Sequence, residues 1–157
     1  MKIIGIDPGL NKTGWGVISV ENNNFSYVTS GLVVNNIKSS FSDKLSNINF
    51  ELEKILECYK PNIGGIEKTF VNRNPLSSLK LGHARGVALL TIKKFGIEVN
   101  EYSPNLIKKT VTGAGKADKT QVMTMVKLLL PSSNVNSEDE ADALAVALCC
   151  GSLLKKY

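Results

Sequence analysis

Four carboxylates in this 157-residue sequence lie at positions where they could act together. Asp7 ends a short apolar run just before a Pro-Gly turn, and Glu67 ends a second such run. Asp139 and Asp142 are three residues apart in a segment of helical character, so their side chains share one helical face. Because the chain has one histidine, the candidate ligands are almost all oxygen atoms, which favours Mg²⁺ or Mn²⁺.

Each carboxylate also has a purely structural interpretation. Asp7 could be a turn residue, and Glu67 could be a charge that ends a strand. Acidic residues at the start of the last predicted helix complement the helix dipole in any protein. Taken together, these carboxylates would repel one another without a cation, so the acidic cluster and the metal ion form a single hypothesis.

The net charge of +5 is unevenly distributed along the chain. Residues 68–127 contain eleven lysines and arginines against three acidic residues, a local charge of +8. An excess of this size suits a polyanionic partner, although a solvated basic face without a partner is the alternative. Since paired hard cations promote displacement at phosphate, the acidic site and its basic surroundings predict a phosphodiesterase that acts on a polyanion.

The hydrophobic pattern predicts the elements that must position these carboxylates. Three consecutive β-rich runs with short links indicate an antiparallel meander, after which apolar residues recur at helical and strand spacing in turn. The expected strands are 2–7, 14–20, 25–34, 62–67 and 97–101. The first expected helix has an apolar stripe over 45–59 and is ended by Pro61. The others are 76–94, one opened by Ser103-Pro104, one opened by Asp118, and 137–154.

This order predicts one α/β domain over residues 1–157, in which a mixed sheet is flanked by helices. Ligands bind beyond the carboxyl ends of the strands in such sheets, so Asp7 and Glu67 are expected to converge. Leu79 and Val87 are expected to face inward from the second helix, and Leu129 from the helix that Asp118 opens.

The remaining composition excludes several classes of protein. No stretch approaches 18 uninterrupted apolar residues, and Asp7 interrupts the first apolar run too early for a signal peptide, so a cytoplasmic protein without a membrane span is expected. Cys58, Cys149 and Cys150 contain no C-x-x-C pair and support neither a disulfide framework nor a zinc site. All three are predicted to be buried small hydrophobic residues.

Five sequence blocks, in order and spacing, resemble the bacterial RuvC crossover-junction endodeoxyribonucleases over nearly the whole chain. They are GIDPG with TGWG, IEKTF, LKLGHARG, GAGKADK and DEADALA, which begin at residues 5, 66, 79, 113 and 139. The resemblance implies an RNase H-like fold and a homodimer that resolves Holliday junctions by paired, symmetric nicks. It also implies hydrolysis with two Mg²⁺ ions per site, with Mn²⁺ able to substitute, leaving a 5′-phosphate and a 3′-hydroxyl.

By the same resemblance, catalysis and metal binding fall to Asp7, Glu67, Asp139 and Asp142. Asp7 would be shared by both metals, Glu67 and Asp139 would complete the shell of one, and Asp142 that of the other. Which of residues 138–140 faces the metals depends on the rotation of the helix, so the choice of Asp139 rests partly on the resemblance.

The resemblance also implies contacts with DNA and with other proteins. Phe70 would lie at the centre of the junction, and Lys108 and Lys119 match family lysines near the scissile phosphate. The family partner is the RuvA–RuvB branch-migration complex. His83 departs from the glutamine expected in its block. The remaining DNA contacts are expected among the basic residues of the same region, namely Arg73, Lys80, Arg85 and Lys116.

Two other functions remain open on the sequence. A phosphate loop after a strand-end aspartate also occurs in nucleotide-binding folds of the sugar-kinase and actin type, but these need two lobes and 157 residues supply one. A catalytically inactive DNA-architectural protein would use only the basic face. If the chain is a resolvase, its dimer interface is expected near Phe70 and the helix that starts at Leu76, since two opposed nicks suit two sites related by a two-fold axis.

Overall fold

The structure, a computed structural model, describes residues 1–69 and 74–154. The predicted order of elements is confirmed. Within the described ranges the elements are β1 (Lys2–Asp7), β2 (Lys12–Glu21), β3 (Asn24–Val34), α1 (Phe41–Tyr59), β4 (Ile63–Glu67), α2 (Pro75–Lys94), β5 (Glu98–Tyr102), α3 (Pro104–Thr112), α4 (Lys119–Leu129) and α5 (Glu138–Leu154).

Helix starts follow local capping. Ser103 and Asp118 are the N-caps of α3 and α4, as the sequence predicts, and each side chain accepts a hydrogen bond from a backbone N–H of the first turn. The first helix begins at Phe41, four residues before the first residue of its predicted apolar stripe. Its N-cap is Ser40, whose Oγ accepts from the Asp43 N–H at 3.1 Å, so the cap extends the helix beyond its apolar stripe.

The five strands form one mixed sheet in the order β3-β2-β1-β4-β5. The meander prediction is confirmed, because β1 pairs antiparallel with β2 and β2 pairs antiparallel with β3. The strands β4 and β5 then add parallel to β1. The carboxyl ends of β1, β4 and β5 therefore meet at one edge of the sheet, together with the start of β2, where Gly14 lies opposite Asp7.

Helices cover both faces of the sheet and bury two apolar layers. Alternating residues of β1 separate them, since Ile3 faces one layer and Ile4 the other. The helices α1 and α2 pack on the Ile4 side, and α3, α4 and α5 pack on the Ile3 side. No helix among the described residues is long and apolar enough to cross a bilayer.

Two residues expected to point inward do not. Leu79 is 60% exposed and Leu129 is 39% exposed. The helix α2 carries apolar residues on two sides, and the side that contacts the sheet is the one with Ala84 and Ala88, which leaves Leu79 outside. At the end of α4 the neighbouring Leu130 fills the core instead and is fully buried.

The cysteines are free thiols in two different environments. Cys149 and Cys150 are buried in α5, as predicted. The prediction was wrong for Cys58, which lies on the solvent side of α1 and is exposed.

The helix α5 packs unusually close to the sheet because glycines face it. A Cβ atom added at Gly5 would lie 2.1 Å from the carbonyl oxygen of Ala143, and one at Gly14 would lie 2.1 Å from that of Asp139. At Gly16 it would lie 2.6 Å from the Leu144 side chain. These contacts fix the distance of α5 from β1 and β2 and hold its first turn at the sheet edge.

We expect Gly5→Ala to destabilise the protein by about 1–3 kcal/mol, because the added methyl group would overlap the backbone of α5, which cannot give way as a flexible side chain can. Gly115→Ala is the matched control, since its Cβ would meet nothing closer than 3.4 Å. Urea unfolding of both variants measures the difference. Equal stability of Gly5→Ala and the wild type would contradict the close packing of α5.

Candidate active site

Two of the predicted carboxylates lie side by side at the sheet edge. Asp7 is the last residue of β1 and Glu67 the last of β4, and these strands are parallel neighbours. A buried threonine, Thr13, holds the turn that follows β1. Its Oγ1 donates to the carbonyl oxygen of Gly9 at 2.7 Å and accepts from the Gly9 N–H at 3.3 Å.

The other two carboxylates arrive on the first turns of α5. The close contact between Gly14 and the Asp139 backbone brings this helix start to the end of β1. Glu67, Asp142 and Asp139 all raise the pKa of Asp7, so the four carboxylates lie within electrostatic range of one another. The convergence expected for Asp7 and Glu67 thus extends to both aspartates of the helix.

Burial and mutual repulsion change the acidity of this group. Burial, followed by the nearby charges of Glu67, Asp142 and Asp139, raises the pKa of Asp7 to about 8. Burial, with the charge of Asp142 adding to it, raises the pKa of Glu67 to about 7. Burial also raises the pKa of Asp142. The site therefore resists carrying four negative charges by itself and would gain from a cation.

Two lysines partly offset this negative charge. Lys119 Nζ lies 3.2 Å from Glu138 Oε2 and 3.6 Å from Asp142 Oδ2. The charges of Lys108 and Lys119 lower the pKa of Glu67, against the effect of burial. Both lysines line a narrow cleft of about 130 Å³ between α3, α4 and α5, together with Glu67 and Asp142. The ammonium groups of the two lysines thus lie at the side of the acidic cluster.

A second cleft opens on the other side of Glu67. It has a volume of about 190 Å³, and Asp7, Pro8, Lys68 and Thr69 contribute to its walls. Glu67 lines both clefts, and each cleft is bordered by one further acidic side chain, Asp142 in the first and Asp7 in the second.

The rotation of α5 distinguishes the three acids at its start. Glu138 pairs with Lys119. Both carboxylate oxygens of Glu140 accept hydrogen bonds from serines, Ser30 at 2.8 Å and Ser137 at 3.1 Å. Of the three, Asp139 is the one whose charge raises the pKa of Asp7. The role of Thr13 and the serine contacts of Glu140 were not predicted; the spacing Ser137-x-x-Glu140 is a capping-box signal that could have indicated the latter.

The donor chemistry of this site fits a hard divalent cation. All four candidate side chains offer carboxylate oxygens, and burial raises the pKa of Asp7, Glu67 and Asp142 although the charge of Lys119 opposes this rise. In the described part of the chain, no three acidic, histidine or cysteine side chains are arranged so as to enclose an ion. Asp7, Glu67 and Asp142 instead border the two clefts.

The predicted DNA-contact residues occupy different environments. Lys80, Lys116 and Lys119 are exposed, and Lys108 is half-buried beside Glu67. The guanidinium of Arg85 forms an ion pair with Glu101 at the junction of α2 and β5. Phe70 and Arg73 lie outside the described residues.

Comparison with known proteins identifies related chains. The family model described as "Crossover junction endodeoxyribonuclease RuvC" matches residues 3–150. Proteins of that name from Nitrobacter hamburgensis and Rickettsia felis are 48% and 44% identical to this chain. The first alignment covers 94% of this chain and 87% of the relative, and the second covers 96% and 97%.

Solved structures show the same likeness in three dimensions. The structure titled "T. thermophilus RuvC in complex with Holliday junction substrate" superimposes with a TM-score of 0.92 at 26% sequence identity. The superposition covers 99% of this chain and 96% of that one. The similarity thus includes the strands β1 and β4 and the helix α5, which carry the four carboxylates.

The raised pKa values predict that the metal-free protein loses stability as the pH rises from about 4 to about 8. The unfolded chain releases the protons of Asp7 and Glu67 near their ordinary values of 3.8 and 4.5, whereas the folded chain binds them until about pH 8 and 7. The unfolding free energy therefore falls wherever the folded state binds more protons. We expect Asp7→Asn to be more stable than the wild type, with a larger gain at pH 8 than at pH 5.

Urea unfolding in the presence of a chelator at both pH values measures this gain. Glu21→Gln, an exposed glutamate at the end of β2, is the control and should show no such difference. A gain for Asp7→Asn that is equal at both pH values, or absent, would contradict the assigned burial and repulsion.

Proposed function

This chain belongs to the crossover junction endodeoxyribonuclease RuvC family, and on that premise we propose that it is a Mg²⁺-dependent endonuclease that resolves Holliday junctions. It would make symmetric paired nicks in DNA recombination and repair, leaving a 5′-phosphate and a 3′-hydroxyl. The observation that carries the proposal is the convergence of four carboxylates at the edge of the sheet, in a chain whose relative from T. thermophilus has been solved with a Holliday junction.

Asp7, Glu67, Asp139 and Asp142 are the proposed ligands of two Mg²⁺ ions, with Mn²⁺ able to substitute. Asp7 is the proposed shared ligand, because it is the carboxylate whose pKa responds to all three others. Glu67 and Asp139 would complete one shell and Asp142 the other. When bound there, the ions would polarise the scissile phosphate and the attacking water.

The lysines of the narrow cleft have a separate task. Lys119 is anchored beside Asp142 and Glu138, and Lys108 borders the same cleft near Glu67. Both ammonium groups can hold phosphate oxygens next to the carboxylates and stabilise the negative charge that develops during displacement. The proposed wider DNA contacts are Lys80, Arg85 and Lys116 together with Phe70 and Arg73. Of these, Arg85 would have to contact DNA while paired with Glu101, or exchange that partner for a phosphate.

We propose that a second copy of the chain covers an apolar groove between α1 and α2. The groove has a volume of about 810 Å³, and Leu45, Leu79 and Leu90 line it. Leu79 and Leu90 are 60% and 62% exposed, which is unusual for apolar side chains that share one groove. Resolution needs two nicks, and two sites related by a two-fold axis can provide them.

The histidine that departs from the family pattern lies in this groove. His83 Nδ1 is 2.7 Å from the carbonyl oxygen of Leu79, and its ring contacts the edge of Phe41 with centroids 5.3 Å apart. These contacts give His83 a structural role in α2 and at its contact with α1. We place the protein in the cytoplasm, where bacterial DNA lies, and propose the RuvA–RuvB complex as its partner on the strength of family membership.

We expect Asp7→Asn to abolish cleavage of a synthetic four-way junction while junction binding persists. Removing a residue that hydrogen-bonds to a metal ligand typically lowers activity about 10–100-fold, so the loss of a ligand itself should lower it further. Gel assays with and without Mg²⁺ measure cleavage and binding, and Glu21→Gln is the control that should retain both.

Three outcomes of this assay would contradict the proposal. Cleavage that survives in Asp7→Asn would remove the catalytic assignment. Binding without cleavage by the wild type under every metal would make the protein architectural. Equal cutting of a linear duplex of the same sequence would leave a nuclease but not a resolvase.

We expect Leu90→Glu to weaken the dimer at least about tenfold. Burying a leucine side chain contributes about 1.5–3 kcal/mol to the free energy of association, and a two-fold interface contains the substituted residue twice. Leu128→Glu is the matched control, since Leu128 is 66% exposed but lies on α4, away from the groove. Sedimentation velocity distinguishes monomer from dimer, and an unchanged dimer in Leu90→Glu would refute this interface.

A further inference from the structure

The first turn of α5 is tied to the edge strand β3 by one side chain. Glu140 Oε2 accepts a hydrogen bond from Ser30 Oγ at 2.8 Å, and Glu140 Oε1 accepts from Ser137 Oγ at 3.1 Å. The Glu140 backbone N–H also donates to Ser137 Oγ at 3.2 Å, so the helix start is capped at the same time. Tyr27 and Ser30 extend the chain of hydrogen bonds along β3, with their hydroxyl oxygens 3.1 Å apart.

An irregularity in β3 makes this contact possible. Thr29 lies opposite Val17 and Tyr27 opposite Ile18, so Val28 is an extra residue that has no partner in the register. A bulge of this kind re-aims the side chains beside it. It places Tyr27 and Ser30 on the same side of the sheet although they are three residues apart, and that side is the one covered by α5.

The bridge points away from the proposed metal ligands. Ser30 lies on β3, two strands from β1, which corresponds to about 10 Å across the sheet. Successive residues of a helix are rotated by about 100°, so Glu140 lies on the flank of the face that Asp139 and Asp142 share. With both of its oxygens engaged by serines, Glu140 anchors the helix instead of joining the carboxylate cluster.

The position of this anchor matters because helix ends fray. Asp139 is the second residue of α5 and Asp142 the fifth, so both lie within the segment that fraying would displace. The rest of the helix is held by alanines and other small residues packed against the sheet. The start of the helix is held by its cap, by the contact of Gly14 with the Asp139 backbone and by the ion pairs of Lys119, and the bridge to Ser30 is the link that ties it to β3.

We propose that Glu140 is a positioning residue that, through Ser30, holds the first turn of α5 so that Asp139 and Asp142 face the metal ions. The inference rests on the proposed function, in which these two aspartates bind Mg²⁺. Supporting partners of metal ligands typically account for about 10–100-fold in metal affinity. The bridge would thus act on metal binding without touching metal or DNA.

Mn²⁺ affinity, measured by electron paramagnetic resonance on the full chain without DNA, tests the bridge. Glu140→Ala and Ser30→Ala should each weaken Mn²⁺ binding about tenfold or more. The affinity of the double variant for Mn²⁺ should be no lower than that of the weaker-binding single variant, because both substitutions break the same link. Glu140→Gln should bind Mn²⁺ more tightly than Glu140→Ala and close to the wild type, since the amide can accept a hydrogen bond from one serine and donate one to the other. Ser26→Ala, an exposed serine on the same strand, is the control and should bind as the wild type does.

A second readout separates positioning from stability. In junction cleavage, Glu140→Ala should need a higher Mg²⁺ concentration for half-maximal rate, yet approach the wild-type rate at saturating Mg²⁺. Variants that lose thermal stability but keep wild-type Mn²⁺ affinity would overturn the inference. Asp7→Asn is run in parallel. If Asp7→Asn loses Mn²⁺ binding and Glu140→Ala keeps it, only the inference about Glu140 fails. If Asp7→Asn binds Mn²⁺ normally, the proposed metal site fails, and the inference about Glu140 fails with it.

Discussion

The close approach of α5 to the sheet is the constraint on which the rest of the structure depends. Gly5, Gly14 and Gly16 have no side chain where the helix passes, and α5 occupies the space that a Cβ would need, with backbone atoms at Gly5 and Gly14 and with the Leu144 side chain at Gly16. This contact brings two carboxylates of a late helix to the end of the first strand. The residues between them in the chain build the rest of the sheet and the helices around it.

Burial makes the site chemically useful and also costly to the fold. A carboxylate taken out of water and placed near three others is harder to ionise, which is why the pKa values of Asp7 and Glu67 are so high. A protein selected only for stability would not gather these groups. A divalent cation reverses the effect, because its charge favours the ionised carboxylates that repel one another without it.

Polar contacts around this cluster are divided by task. Lys119 engages Glu138 and Asp142 on the side that faces α4, whereas Glu140 reaches across to Ser30 on β3. Helix α2 separates its functions in the same way, since its alanines pack on the sheet and its leucines line the outer groove. One side of an element thus builds the fold while another remains available to a partner.

The sequence by itself determined the order of the elements and the capped starts of α3 and α4, and it singled out Asp7, Glu67 and Asp142 as candidates, because these depend on local periodicity and on residue type. Only the tertiary structure decided which acid at the start of α5 faces Asp7, since periodicity sets angles between residues but not which side meets the sheet. For the same reason the prediction that Leu79 faces inward was wrong, because both sides of α2 are apolar and the sequence does not show which side contacts the sheet. The pairing of Arg85 with Glu101 and the bridge from Glu140 to Ser30 join residues far apart in the chain, and no local pattern specifies such contacts.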